Sequence, residues 1–297
     1  MPTSAPRIIH TGQALVDLTI EVPDLPARGQ NVMAESVAQY AGGAVTVLLA
    51  AARLGAECVH AGAIGAGPHG DVIRAALAAD AIAASAPVVT AQDTGVCVVL
   101  VEPSAERTFI TTLGAERDIT VESLATADVR AGDLVCVTGY TLAVEQTRIP
   151  LLEWLDSLVE GAIIVLDPGA AFASLPVEVR DRMLALTDVW TSNAEEATDL
   201  LAVLGSGTEA SDRAIVGQAR ALAPVLRADA VAIVRDGAEG CAVHAAGETT
   251  YVPGFRRRRS TPTAQATPTP GLCSLALRTA PTGSMRAGWR TPRQRSR

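Results

Sequence analysis

Short, solid apolar runs recur along the first 255 residues, and between them apolar positions fall at three- and four-residue spacing. The runs at 7–11, 57–64, 95–102, 133–138, 162–167, 188–191 and 230–235 predict strands. Several are near-continuous apolar runs, as strands are when both faces of a parallel sheet are covered. Helical spacing predicts helices at 45–54, 71–77, 144–159, 177–186, 194–204 and 212–226. Strand–helix alternation of this kind predicts a doubly wound α/β domain. Residues 15–40 and 94–113 break the pattern. Their partial polar–apolar alternation predicts a small, half-exposed sheet outside the main one.

Composition makes a large core available without aromatic rings: hydrophobic residues are 48% of the 297 and aromatic residues 3%. The core is therefore expected to be Ala, Val, Leu and Ile. No apolar run reaches membrane-spanning length, and residues 1–9 lack a basic region followed by a long apolar stretch, so no secretory signal is read. The five cysteines show no C-x-x-C spacing. Most lie in strand-like runs, which points to buried thiols in a reducing cytoplasm. Charge divides the chain. Residues 256–297 hold ten of the 24 basic residues and no acid, leaving fourteen basic residues against all 32 acids in residues 1–255, a net −18. The tail also has five prolines and no sustained period, and on composition it is expected to be disordered.

Five local motifs carry candidate chemistry, each with a plainer structural account. Asp17 follows a strand-like run and a turn, where a carboxylate can accept from sugar hydroxyls or be a solvated loop acid. Gly42-Gly43 precedes a helical run containing Thr46; it lets backbone approach a ligand at a helix N-terminus, or forms a turn. The glycine-rich turn 62–71 does not have the G-x-G-x-x-G order of a dinucleotide fold. Asn193 and Glu196 suit a helix capping box, or hold water around Mg²⁺ near phosphates. Arg235, Gly237 and Gly240 lie between two strand-like runs, where glycines permit a nucleotide to lie flat on backbone or simply form a hairpin.

Taken in order over most of residues 7–255, these elements resemble the ribokinase-like (PfkB) carbohydrate kinase family. The resemblance rests on Gly12-x-Ala14-x-x-Asp17, Gly42-Gly43 with Ala-Ala-Arg-Leu-Gly ending at Gly55, Gly62-x-x-Gly65 through Gly70, and Glu106-Arg107-Thr108-Phe109. It continues with Gly114-Ala115, Asp167-Pro168, Asn193-x-x-Glu196 and Arg235-x-Gly237-x-x-Gly240. It implies an α/β/α sandwich with a small β-sheet lid in residues 1–255, ATP and Mg²⁺ as cofactors, and phosphorylation of a sugar or nucleoside hydroxyl. It also implies a homodimer formed through the lid. The substrate contacts implied are Asp17, Gly42, Gly43 and Thr46; those for the nucleotide are Asn193, Glu196, Arg235, Gly237 and Gly240, with Glu196 reaching the metal through water. The family usually has Asn shortly after Gly-Gly, where this chain has Thr46.

The family's D-T-x-G-A-G-D turn, which supplies backbone N–H groups to the transferring phosphoryl and a final Asp as base, is absent; no catalytic base is found near residues 261–267. The genetic code suggests why. If each codon is read as the last base of one triplet and the first two of the next, residues from Ser260 onward are compatible with D-T-N-G-A-G-D. The same shift from Trp289 to Arg297 permits a run of small residues. The tail is therefore expected to be out of frame and the chain catalytically impaired. Two other readings remain: a non-catalytic sugar- or nucleotide-binding protein, and nucleic-acid binding through the Arg-rich tail. Trp289 is the tail's one aromatic residue, which argues against stacking on nucleic acid.

Overall fold

The computed structural model describes residues 6–207 and 211–254; the expected disorder of the tail lies outside them. The strands are β1 (Arg7–His10), β2 (Val16–Glu21), β3 (Ser36–Ala41), β4 (Glu57–His60), β5 (Ala83–Ala84), β6 (Val96–Val101), β7 (Arg107–Thr111), β8 (Leu134–Thr138), β9 (Ile163–Asp167), β10 (Val189–Asn193), β11 (Val231–Asp236), β12 (Gly240–Ala245) and β13 (Glu248–Pro253). Nine form the main sheet in the order β13-β12-β11-β10-β9-β8-β1-β4-β5, parallel from β11 to β5, with β12 and β13 antiparallel. The remaining four form a second sheet, β3-β2-β6-β7. That sheet is the lid expected from residues 15–40 and 94–113.

The helices are α1 (Ala44–Arg53), α2 (Pro68–Ala79), α3 (Val121–Ala125), α4 (Gly139–Ala143), α5 (Glu145–Asp156), α6 (Val177–Leu186), α7 (Ala194–Val203) and α8 (Ala214–Leu222). Successive strand residues point to opposite faces, and the core divides accordingly. Ile9, Val135, Ile164, Leu166, Trp190 and Val234 pack with α3 to α8, whereas Ile8, Leu134, Val165, Val189 and Ile233 belong to the cluster of α1 and α2. The expected α/β/α layering is thus present. Trp190 is fully buried, meets Phe172 edge-on at 5.5 Å and donates to Ser192 Oγ at 2.9 Å.

Some boundaries differ from the sequence pattern for local reasons. Helix α2 begins three residues before the expected 71, because Pro68 suits the first turn and Asp93 caps it from a distant loop: its carboxylate accepts from His69 and Gly70 N–H, both at 2.9 Å. The expected helix 212–226 ends as a 3-10 turn, Ala223–Val225, around Pro224. The glycines of the 62–71 turn are used in the same tight packing: a Cβ at Gly70 would lie 1.8 Å from the carbonyl oxygen of Gly65.

Strands β1 and β8 are joined at their start by a buried ion pair. Arg7 Nη2 donates to Asp133 Oδ2 at 2.7 Å, Arg7 N–H donates to Oδ1 at 3.0 Å, and Arg130 N–H to Oδ2 at 2.9 Å. Burial alone would raise the Asp133 carboxyl, but Arg7 and these N–H groups hold it below the usual carboxylate range. Breaking one side of such a pair costs about 3–5 kcal/mol. Asp133→Ala is therefore expected to lower the urea-unfolding free energy by about that amount. The pair's contribution is complete above about pH 4, the ordinary carboxylate value, and is lost as pH falls through the depressed native value. A wild-type-like unfolding midpoint for the variant would contradict this.

Candidate functional site: a cleft between sheet and lid

The chain leaves the main sheet after His10 and enters the lid at Val16. The intervening turn is pinned on both sides: Gly42 N–H donates to the Leu15 carbonyl at 2.8 Å, Ala44 N–H to the Gln13 carbonyl at 2.9 Å, and Val16 N–H to the Gly95 carbonyl at 3.1 Å. Asp17 is the second residue of β2 and so stands where the two sheets meet. A cavity of 1010 Å³ opens there, lined by Gly43 and Thr46 at the start of α1 and by Asp17, Cys97, Phe109 and Thr111 of the lid sheet. Lid register explains the grouping, because Asp17 pairs with Cys97 and Cys97 with Thr111, placing all three on one face.

Gly42 and Gly43 are required by close approach. A Cβ on Gly42 would lie 2.1 Å from Asp17 Oδ2, and one on Gly43 would lie 2.3 Å from the Gln13 carbonyl, at a φ of 59°. The Asp17 carboxylate therefore rests against the bare Cα of Gly42, beside the N-terminus of α1. Burial raises the Asp17 carboxyl to about 6. His10, on the cavity floor, is driven down to about 3 by burial and by neighbouring His60, so it is neutral.

The other end of the cavity is built from the C-terminal ends of neighbouring strands, the usual place for ligands in such sheets. Asp167 ends β9, Asn193 ends β10, and Arg235 stands beside Asn193 in β11. Arg235 Nη2 is 3.6 Å from Asp167 Oδ2, and both residues line the cavity. Asn193 and Glu196 form the capping box in full: Glu196 N–H donates to Asn193 Oδ1 at 2.7 Å and Asn193 N–H to Glu196 Oε2 at 2.9 Å. Burial, opposed by that N–H and reinforced by Asp167, raises the Glu196 carboxyl. Gly237 and Gly240 lie in the β11–β12 hairpin. A Cβ on Gly240 would meet the Val252 carbonyl at 2.1 Å, whereas Gly237 faces open space.

The structure thus brings Asp17, Gly43, Thr46 and Arg235 to one cavity, with Gly42 held against Asp17; Asn193, Glu196, Gly237 and Gly240 lie outside its lining. Asp167, Arg117 and Tyr140 line it too and were not singled out as site residues from the sequence. Asp167 had a usable signal, an acid closing a solid apolar strand. Tyr140 and Arg117 had none, because their placement depends on how β8 and the lid meet. Among the described residues no group of three or more His, Cys, Asp or Glu could hold a metal ion, and no helix is long and apolar enough to cross a membrane.

An ionised Asp17 accepts hydrogen bonds at both oxygens, so affinity for a hydroxyl-bearing ligand at this cavity is expected to fall about tenfold per unit as pH drops below about 6. Asp17→Asn is expected to remove that limb, and Gly42→Ala to weaken binding by displacing the carboxylate. Calorimetric titration across pH checks both; an affinity flat from pH 7 to 5 would contradict the assignment.

Comparison with known proteins agrees with this architecture. An uncharacterized sugar kinase of Escherichia coli strain K12, YegV, is 29% identical over 196 residues, covering 66% of this chain and 60% of that protein's length. Two solved structures share the fold. Ribokinase from Cryptococcus neoformans, in complex with ADP, has a TM-score of 0.66 at 18% identity, covering 86% of this chain and 80% of its own. Fructokinase from Vibrio cholerae, bound to fructose, ADP and calcium, has a TM-score of 0.65 at 19% identity, covering 86% and 79%. The profile of the pfkB family carbohydrate kinases matches residues 5–263, and the chain belongs to that family.

Proposed function

We propose that residues 1–255 form the binding body of an ATP-dependent kinase for a sugar or nucleoside hydroxyl, and that this chain lacks the segment that performs the transfer. The observation that carries the reading is Asp17: a half-buried carboxylate of the lid's β2, held against Gly42 and facing the cavity, able to accept from a hydroxyl. Gly43 and Thr46 at the start of α1 complete the sugar end.

The nucleotide end fits the demands of ATP and Mg²⁺. Among the described residues Arg235 has a buried Nε without a partner and supplies positive charge for phosphates, and nothing lies within 4 Å of a Cβ at Gly237, which leaves room for a flat base over the hairpin. Mg²⁺ usually keeps several waters and takes one or two carboxylates together with substrate phosphates. Glu196, with Asp167 near enough to raise its carboxyl, suits such water-mediated holding. When bound, the metal neutralises charge on the transferring phosphoryl group. Gly240 serves the hairpin. The lid, with Phe109 60% exposed at the cavity mouth, is placed to exclude water when closed.

Two parts of the machinery are missing from the sequence: a base for the hydroxyl proton and the glycine-rich N–H turn. The family match ends at residue 263, within the run where the turn is expected. A positioned base contributes ~10²–10⁴-fold and one oxyanion-type donor ~10²–10³-fold, so loss of either leaves a weak enzyme. Expression of this chain and of its alternative-frame counterpart, assayed for ATP-dependent phosphorylation over sugars and nucleosides, tests this. Turnover is expected from the second and at most a trace from the first. Robust turnover by this chain would overturn the proposal.

The lid also supports a dimer. Its face opposite Asp17 presents Leu18, Ile20, Val98 and Leu100, with Val37 and Ile110 exposed at 65% and 58%. Such a patch marks an interaction surface. Sedimentation is expected to give a dimer that Ile110→Glu dissociates; a monomeric wild type at micromolar concentration would contradict it.

A further inference from the structure

Four charged side chains line the cavity: Asp17, Arg117, Asp167 and Arg235. Asp167 and Arg235 face each other at 3.6 Å, whereas neither Asp17 nor Arg117 has an ion-pair partner among the described residues. Burial raises the Asp17 carboxyl.

Arg117 is held in place from beneath. It ends the 3-10 turn Ala115–Arg117, immediately after the lid. Glu116, 2% exposed, accepts from Gly95 N–H at 3.0 Å and Gly114 N–H at 2.8 Å. Ala115 N–H donates to the Asp93 carbonyl at 2.9 Å. The acids around Arg117 are all engaged elsewhere: Glu116 with these backbone groups, Asp93 with the N-terminus of α2, and Asp118 with Gln92 and Gln146 at 2.8 and 3.3 Å. The turn's carboxylates are engaged with neutral N–H donors, and its one cation lines the cavity.

We propose that Arg117 is a specificity-determining residue that receives an anionic group on the sugar, so that the preferred substrate is a sugar bearing a carboxylate or a phosphate ester. This rests on the sugar-kinase reading of the cavity and narrows it. Asp17 accepts from a hydroxyl at one side of the ligand while Arg117 donates to the anion at the other. A guanidinium suits both anions because its fork of N–H groups matches two oxygens at once.

The test is calorimetric titration of the full chain with a matched trio: a hexose, its aldonic acid and its 6-phosphate, each at low and high salt, with ATP titrated separately. At least one anionic ligand is expected to bind about tenfold more tightly than the hexose, a charge-assisted contact discounted for the solvent exposure of Arg117. Salt should narrow that ratio. Arg117→Gln should bring it to about one without shifting the thermal unfolding midpoint, and Arg117→Lys should restore part of it. The carboxylate and phosphate arms identify which anion is read. Equal or tighter binding of the hexose, or a ratio that survives Arg117→Gln, overturns the inference, as does a variant that loses ATP affinity instead. In those cases the sugar site still stands if Asp17→Asn removes the pH dependence of hexose binding. A chain that binds none of the trio and no ATP overturns both readings.

Discussion

The site depends on how few residues separate the two sheets. Between His10 in the main sheet and Val16 in the lid the chain has five residues, and three backbone hydrogen bonds fasten this turn to the Gly42–Ala44 and Gly95 segments. Those segments are the entry to α1 and the return into the lid. One turn therefore sets the position of the Asp17 carboxylate, the N-terminus of α1 and the neighbouring lid strand β6. The lid cannot be displaced far at this edge without breaking these bonds.

The same constraint accounts for the electrostatics. A carboxylate placed at such a junction loses water on the sides where Gly42 and the lid approach, and nothing cationic replaces it, so its charged form is disfavoured. The opposite end of the cavity solves the problem differently, by pairing Asp167 with Arg235 at the ends of β9 and β11. One end is thus left with unspent hydrogen-bonding capacity, and the other holds a charge pair.

Much of this was legible in the sequence because burial on both faces of a parallel sheet leaves solid apolar runs, and those runs placed β1, β8, β9, β10 and β11 well. The lid was visible as a break in that pattern. Asp17, Gly42 and Gly43 were found through motif order rather than periodicity, and the contact that explains Gly42 is with a residue 25 positions earlier. What the pattern could not reveal were features set by distant partners. The start of α2 depends on Asp93, α3 is only five residues long and rests on a Thr120 cap, and Arg117 acquires its role from carboxylates that bind elsewhere. For Asn193 and Glu196 the capping box is realised in full, so their local geometry is explained without a ligand, and any role toward a metal is an addition to that structural one.

On the proposed function, this chain should bind sugar and nucleotide without efficient turnover. The most direct measurement is a crystal structure of this chain soaked with a non-hydrolysable ATP analogue, Mg²⁺ and an anionic sugar. The account predicts the sugar between Asp17 and Arg117 beneath the lid, with the nucleotide phosphates toward Arg235 and the base over Gly237. A sugar bound outside this cleft, or an occupied cleft in which Asp17 makes no contact with it, would contradict the account.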